Sequence, residues 1–270
     1  MKTQTIPFAK MAGTGNDFIV IDNRQCRFSG EETELFARLC ARRISVGADG
    51  VMLISGGDGK PVHMRIFNSD GRKTTMCGNG ARCAAFFARW KNFVPADAFI
   101  LQTAVGPHPV RVDGLHVELQ MRPPRDFRRE LGVVNEQDLT EGGFIDTGVP
   151  HLVLFTPDVE SIDLSVLGRM YRHHPFFSDG VNVNIVQLLG ESQIRVRTYE
   201  RGVEGETLSC GTGSVASALV ASAVHGLSSP VQVDTCGGVL SVRFDSGWHD
   251  VWLSGLVSMV YEGAFSIETD

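Results

Sequence analysis

The tetrapeptide Cys77-Gly78-Asn79-Gly80 returns 133 residues later as Cys210-Gly211-Thr212-Gly213, each time followed by a run of small and apolar residues. The same spacing takes Gly15, ahead of Phe18-Ile19-Val20, to Gly148, ahead of Leu152-Val153-Leu154, and Gly47 to Gly180. With a slip of one residue it continues. Arg65-Ile66-Phe67-Asn68 matches Arg197-Thr198-Tyr199-Glu200, Thr103 to Gly106 matches Thr235 to Gly238, and Arg111-Val112-Asp113 matches Arg243-Phe244-Asp245. One such match would be chance, but six in order point to duplication, and 270 residues are enough for two domains of one design.

Short β-branched or alternating runs bounded by Gly, Asp or Pro predict strands over 18–22, 51–54, 63–67, 110–119, 152–155, 182–187, 194–199 and 240–244. Helices are predicted over 31–43, with acidic residues in its first turn and Arg in its last, and over 80–90 and 213–224, directly after the two C-G-x-G elements. Consecutive prolines in Met121-Arg-Pro-Pro124 stop both helix and sheet, which marks the boundary between the halves. The expectation is two α+β domains.

Composition excludes several classes of function. Twenty-five Lys and Arg against 31 Asp and Glu leave a net charge of −6, with no basic footprint for nucleic acid or an anionic membrane surface. No apolar stretch approaches a membrane span, and residues 1–11 lack the apolar run of a signal peptide, so a cytoplasmic protein is expected. The six Cys (26, 40, 77, 83, 210 and 236) are too scattered for a disulfide scaffold, and no CxxC or HxxxH pair suggests zinc. Cys26, Cys40, Cys83 and Cys236 read as core or incidental residues. GxxxxGK[ST], HExxH and GxSxG are absent, and in Gly13-Thr14-Gly15-Asn16-Asp17-Phe18 the glycines precede a strand instead of following one, unlike a dinucleotide loop. Glycine is the one excess, at 30 of 270 residues, which suggests many tight turns or close backbone approaches.

Cys77 and Cys210 each open a helical pattern, where unpaired N–H groups and the positive end of the dipole favour a thiolate. The flanking Gly78, Gly80, Gly211 and Gly213 let the backbone approach an anion, so each loop reads as a carboxylate or phosphate cradle. In a pair of related domains the two loops would face each other, and two thiols could flank one molecule. One thiolate would take a proton from a carbon acid while the other thiol donates on the opposite face, inverting a stereocentre without a cofactor or metal. A disulfide between the loops and a redox dithiol are the alternatives. Glu200-Arg201 offers both charges that an amino-acid zwitterion needs, or a surface ion pair. Asn16, Asn68, Asn79 and Asn182 stand in turn-like contexts where Asn commonly bonds local backbone. His151 is equally consistent with a structural role, and His173-His174 reads as loop.

Taken together, Gly13–Phe18, Gly47-Ala48-Asp49-Gly50, Phe67–Gly71, Met76–Arg82, Tyr199–Gly202 and Cys210–Gly213 make the sequence resemble the diaminopimelate epimerases along nearly its whole length. The resemblance implies two pseudo-symmetric α+β domains, residues 1–122 with 256–270 and residues 123–255. Each would be a curved, mostly antiparallel sheet around a central helix, with the active site in the cleft between them. It implies cofactor-independent conversion of L,L-diaminopimelate to the meso form, a step in lysine and peptidoglycan precursor biosynthesis. Cys77 and Cys210 would be the acid–base thiols, and His151 and Glu200 would tune them. Asn16, Asn68, Asn182, Glu200 and Arg201 would hold the substrate's amino and carboxylate groups, and backbone at Gly78-Asn79 and Gly211-Thr212 the reacting carboxylate. Tyr261 resembles a family tyrosine at the interface of a homodimer. Proline racemases and hydroxyproline epimerases are similar but carry His at the position of Asn79. Two departures stand out: Gly148-Val149-Pro150-His151 has Val149 where the family usually has Asn, and Gly50 stands where some members carry Gln.

Overall fold

A computed structural model of the chain describes residues 2–129, 131–133 and 139–269. It divides into two compact units, residues 1–119 with 256–270 and residues 120–255. The first contains β1 (Lys2–Gly13), β2 (Asn16–Asp22), α1 (Thr33–Cys40), β3 (Gly50–Gly57), β4 (Lys60–Asn68), β5 (Lys73–Thr74), α2 (Gly78–Trp90), β6 (Ala98–Thr103), β7 (Gly106–Asp113) and most of β8 (His116–Met121). The second contains β9 (Arg125–Arg128), β10 (Thr140–Asp146), β11 (Pro150–Phe155), α3 (Leu164–Arg172), β12 (Asn182–Leu188), β13 (Gln193–Glu200), β14 (Gly205–Thr207), α4 (Gly211–His225), β15 (Val231–Thr235) and β16 (Gly238–Phe244). β17 (Val251–Thr269) begins in the second unit, paired to β16, and continues in the first, paired to β1.

The strand pairings repeat as the sequence does. β2–β3 and β11–β12 are parallel pairs, β3–β4 and β12–β13 antiparallel, β4–β6 and β13–β15 parallel, and β6–β7 and β15–β16 antiparallel. Matched side chains do matched work. Thr103 Oγ1 donates to the Gly106 carbonyl (3.0 Å) and Thr235 Oγ1 to that of Gly238 (2.7 Å), closing equivalent hairpins. The Arg65 guanidinium donates to the carbonyls of Phe28 (3.0 Å) and Ser29, and that of Arg197 to Val159 (2.7 Å) and Ile162 (3.0 Å). In both units this arginine holds the segment leading into the first helix.

Each unit is an α+β domain whose sheet bends around one buried helix, α2 or α4. α2 touches β1, β2, β3, β4 and β7, and α4 touches β10, β11, β12, β13, β15 and β16. Ten consecutive positions or nearly so are buried in each, which is why their sequences read apolar or small almost all round. The outer face of each sheet is covered by the other helix. α1 sets Phe36 against Phe67 (4.6 Å between ring centres) over Ile19, Val51 and Leu53, and α3 sets Tyr171 against Tyr199, Val183 and Ile185.

Three expectations about elements are corrected. The helix predicted over 31–43 is only Thr33–Cys40: Glu32 turns its carboxylate to the N–H groups of Ser29 and Gly30, and Ala41 is already extended. The strand predicted over 110–119 is a hairpin of β7 and β8, because Asp113 pairs with His116 across a two-residue turn in which Gly114 takes a φ of +54°. α3 was not expected. Asp163 caps it by accepting from Ser165 N (3.0 Å) and Val166 N (3.3 Å). His173 and His174 follow it in a turn. Among the described residues no helix is long and apolar enough to cross a membrane.

Candidate functional site

Cys77 and Cys210 are the N-caps of α2 and α4. Each has extended backbone (φ −144°, ψ 119° and φ −116°, ψ 114°), and each carbonyl accepts the first helical bond at 2.8 Å, from Ala81 N and Ser214 N. Each Sγ accepts from the third helical N–H, Gly80 N and Gly213 N, at 3.4 Å. A sulfur in this position takes the place that Ser or Asp fills in ordinary helix caps and lies at the positive end of the helix. Cys210 is buried and Cys77 half-buried.

In the first unit Cys77, Gly78, Asn79 and Asn16 lie together. Buried Asn79 donates its amide to Asn16 Oδ1 (2.7 Å), and Asn16 donates to Asp49 Oδ2 (3.2 Å). Behind Asn79 the guanidinium of Arg82 is fully buried, donating to Asn79 Oδ1 and Thr14 Oγ1, both at 2.7 Å, and to the Leu256 carbonyl (3.3 Å). Burial lowers the Arg82 pKa from its ordinary value, offset in part by the thiols of Cys83 and Cys77. Asp17, beside Asn16, pairs with Lys10 (2.7 Å) and Arg42. Burial pushes its carboxyl up, but these two cations outweigh it and hold the pKa near 2. Asn68 ends β4, exposed, opposite Gly50 in the β3–β4 register. A Cβ at Gly50 would lie 2.5 Å from the Phe67 carbonyl oxygen, so this backbone has no room for the Gln of other members.

The second unit gathers His151, Asn182, Glu200, Arg201, Cys210, Gly211 and Thr212. His151 on β11 stands opposite Asn182 on β12. Asn182 Oδ1 accepts from Arg201 N (2.7 Å), and the Arg201 side chain reaches the Asp179 carbonyl (3.0 Å). Glu200, at the end of β13, accepts from the Thr207 hydroxyl and bonds the Cys210 thiol; burial raises its pKa, against the effect of both bonds. Thr212 Oγ1 lies 3.4 Å from Cys210 Sγ and 3.1 Å from His151 Nε2. His151 is fully buried, and its pKa is lowered to about 3, chiefly by burial, with the Arg201 charge adding to it. It is a neutral imidazole at any physiological pH.

Tyr261 lies elsewhere, on β17, exposed and edge-to-face with Phe8 at 5.9 Å. Cys40 and Cys83 are buried in their unit, and burial pushes their thiols up to about 11 and about 12. Cys26 and Cys236 are exposed. Among the described residues no three His, Cys, Asp or Glu side chains form a group that could hold a metal ion. Sequence reasoning missed Arg82 and Asn184. Asn184 had a signal: it is two residues beyond Asn182, on the same face of a strand and between the apolar Val183 and Ile185.

Comparison with known proteins agrees with this doubled layout. The diaminopimelate epimerase family model matches twice, over residues 8–124 and 143–259. A protein named diaminopimelate epimerase from Aquifex aeolicus is 42% identical, over 97% of this chain and 98% of its own, and one from Methanocella arvoryzae is 40% identical over the same shares. Among solved structures, a Bacillus anthracis phenazine biosynthesis protein of the PhzF family has a TM-score of 0.74 at 12% identity, covering 97% of this chain and 99% of that one. A hydroxyproline epimerase from Agrobacterium vitis has 0.69 at 15%, covering 98% and 92%. At such identities these two likenesses concern the fold alone.

Proposed function

The chain belongs to the diaminopimelate epimerase family, a family of isomerases, and on that premise we propose that it interconverts L,L- and meso-diaminopimelate by a two-thiol mechanism. The observation that carries the mechanism is the matched pair of N-cap cysteines, each with Sγ on the third N–H of a buried helix.

One thiolate removes the α-proton, the C–H electron pair moves into the adjacent carboxylate, and the other thiol returns a proton to the opposite face. The centre inverts, and the two cysteines exchange protonation states. The α-proton of an amino acid is weakly acidic, so the developing ene-diolate must be stabilised. The backbone N–H groups of Gly78-Asn79 and Gly211-Thr212, in the first turns of α2 and α4, are the donors suited to it. Asn16, Asn68, Asn182, Glu200 and Arg201 would hold the amino and carboxylate groups, the distal end included. His151 and Glu200 would set the thiols' proton affinities. No cofactor or metal enters these steps.

The reaction would supply lysine and peptidoglycan precursors in the cytoplasm, and Tyr261 would lie in the contact of a homodimer. A racemase of a different amino acid on the same scaffold is the second reading, favoured by one observation: Val149 in place of the family asparagine. Incubation with L,L-diaminopimelate in deuterated solvent tests both. The epimerase incorporates solvent deuterium at the α-carbon as meso product forms. Cys77→Ala and Cys210→Ala should each lower inversion by at least about 10²- to 10⁴-fold, since one thiol cannot serve both faces. Near-normal inversion by either variant removes the two-thiol mechanism, and exchange only with another amino acid removes the substrate.

A further inference from the structure

A buried chain of four side chains runs from the core of the second unit to Cys210. Asn184, on β12, is fully buried. Its Nδ2 donates to the Leu152 carbonyl (3.0 Å) and lies 3.0 Å from His151 Nδ1, while its Oδ1 accepts from Thr198 Oγ1 (3.1 Å). The Leu152 carbonyl can only accept, so the amide cannot be turned over without opposing two oxygens at hydrogen-bond distance. The amide nitrogen therefore faces His151, and Nδ1 must be the accepting, unprotonated nitrogen. In a neutral imidazole the proton is then on Nε2. Nε2 lies 3.1 Å from Thr212 Oγ1, which must accept from it, and the hydroxyl's own hydrogen is left to point at Cys210 Sγ, 3.4 Å away.

We propose that Asn184 is a positioning residue that locks His151 in its Nε2–H form and so turns the Thr212 hydroxyl into a hydrogen-bond donor toward Cys210, favouring the thiolate. The opposite tautomer would reverse the chain. Nε2 would accept from Thr212, the threonine oxygen would face the thiol as an acceptor, and the S–H form would gain instead. The groups that face Cys210 divide accordingly. Gly213 N–H and the Thr212 hydroxyl favour the thiolate, and Glu200, on β13, bonds the thiol form when its carboxylate is ionised. Arg201 follows Glu200 and adds positive charge on the His151 side, and β12 contributes only the neutral Asn182 and Asn184. Asn184 also sets a backbone requirement: a Cβ at Gly213 would lie 2.5 Å from its Oδ1, so helix start and amide fit only while position 213 is glycine.

The relevance to turnover rests on Cys210 being an acid–base thiol, but the test does not. Nitrogen NMR of ¹⁵N-histidine-labelled protein, with the His151 signal assigned by loss in His151→Gln, should show Nε2 protonated and Nδ1 bare across neutral pH. The reverse tautomer, or an imidazolium, overturns the proposal. The second measurement is alkylation of Cys210 by iodoacetamide against pH, followed by peptide mass mapping with Cys77 as internal reference. Asn184→Asp, whose carboxylate accepts from Nδ1–H, should slow alkylation of Cys210 at neutral pH by about five- to tenfold and move its profile to higher pH. Thr212→Val should do the same, Thr212→Ser should restore the wild-type profile, and Asn184→Asp added to Thr212→Val should shift nothing further. Equal slowing of Cys77 and Cys210, or a wild-type profile in Thr212→Val, overturns it. Should Asn184→Asp fail to fold, the threonine pair and the NMR decide. Loss of activity toward diaminopimelate with the tautomer as stated would sink the substrate reading and leave this one standing.

Discussion

The Arg82 guanidinium donates to the amide oxygen of Asn79 across 2.7 Å, and that bond decides which way round two asparagines stand. Arginine has only donors, so Asn79 must turn its oxygen inward and its nitrogen toward Asn16. Asn16 then accepts with its oxygen and donates its nitrogen to Asp49, which can only accept. A buried cation at one end and a carboxylate at the other thus give the row a single polarity.

Removing the inner end should loosen the row. Arg82→Met removes the buried donor to Asn79 Oδ1, Thr14 Oγ1 and the Leu256 carbonyl, which should cost about 1–3 kcal/mol of stability and raise KM for diaminopimelate. Asp49→Asn, at the exposed end, should leave the melting temperature within a few degrees of wild type and raise KM by less. Thermal melts and steady-state kinetics on both variants check this, and equal KM values for wild type and Arg82→Met would contradict it.

His151 makes the fold acid-sensitive. Its pKa is about 3 in the fold and its ordinary value is 6.5, so below 6.5 the unfolded chain takes up a proton that the folded chain refuses. The stability that His151 contributes is therefore complete above pH 6.5 and falls as the pH drops toward 3. Between pH 7.5 and 4.5 the loss should be about 2–3 kcal/mol. Glu200, whose pKa burial raises, works in the opposite sense in the lower part of this range. Denaturant midpoints across these pH values should fall for wild type and stay flatter for His151→Gln.

Gly213→Ala tests how tightly helix α4 sits on the buried amide. The added methyl would lie 2.5 Å from Asn184 Oδ1 and 3.2 Å from Cys210 Cβ, so either the amide or the cysteine must move. A kcat reduced at least tenfold is expected, because displacement of a reacting group by an ångström can cost about 10²-fold. Gly205→Ala, where a Cβ meets nothing within 4 Å, serves as the control and should remain within about twofold of wild type.

The duplication made much of this fold legible. A pattern that sets Thr103 and Gly106 against Thr235 and Gly238, and Arg65 against Arg197, was readable because these side chains bond backbone within their own unit, so each copy needs the same residue at the same place. The helix α3 follows the same rule but carries no motif that marks it. The spacing that carries Cys77 to Cys210 carries Thr33–Cys40 onto residues 166–173, within and just past α3, but the two helices share no motif, because covering a sheet face asks only for apolar residues at helical spacing. β1 and β17 escaped notice for another reason. Their long alternation of polar and apolar residues is interrupted by a bulge between Lys10 and Met11, and β17 serves two units in turn. The cysteines announced themselves through the flanking glycines, whereas the roles of Asn184 and Arg82 depend on contacts made only in three dimensions.

Val149 stands where the resemblance to the family implies asparagine. Val149 lies half-buried in the turn between β10 and β11, and its carbonyl accepts from Thr147 N (3.2 Å). Its backbone thus closes the turn whatever side chain it carries, and Val149→Asn should fold as wild type does. Its side chain cannot hydrogen-bond the distal end of diaminopimelate. If Asn68, Asn182 and Arg201 still hold that end, one missing bond should cost about 0.5–1.5 kcal/mol, up to roughly tenfold in KM, with kcat nearly unchanged. Val149→Asn should then recover that factor. If the distal pocket has instead been rebuilt for another side chain, diaminopimelate would leave charged groups poorly paired and lose far more. The first outcome is expected, because Arg201 N donates to Asn182 Oδ1 and so places both residues together for the distal end. Measuring kcat/KM for L,L-diaminopimelate beside a panel of single-centre amino acids, in wild type and Val149→Asn, decides between them. A panel member that outperforms diaminopimelate tenfold would transfer the substrate assignment to that amino acid while leaving the paired thiols their chemistry.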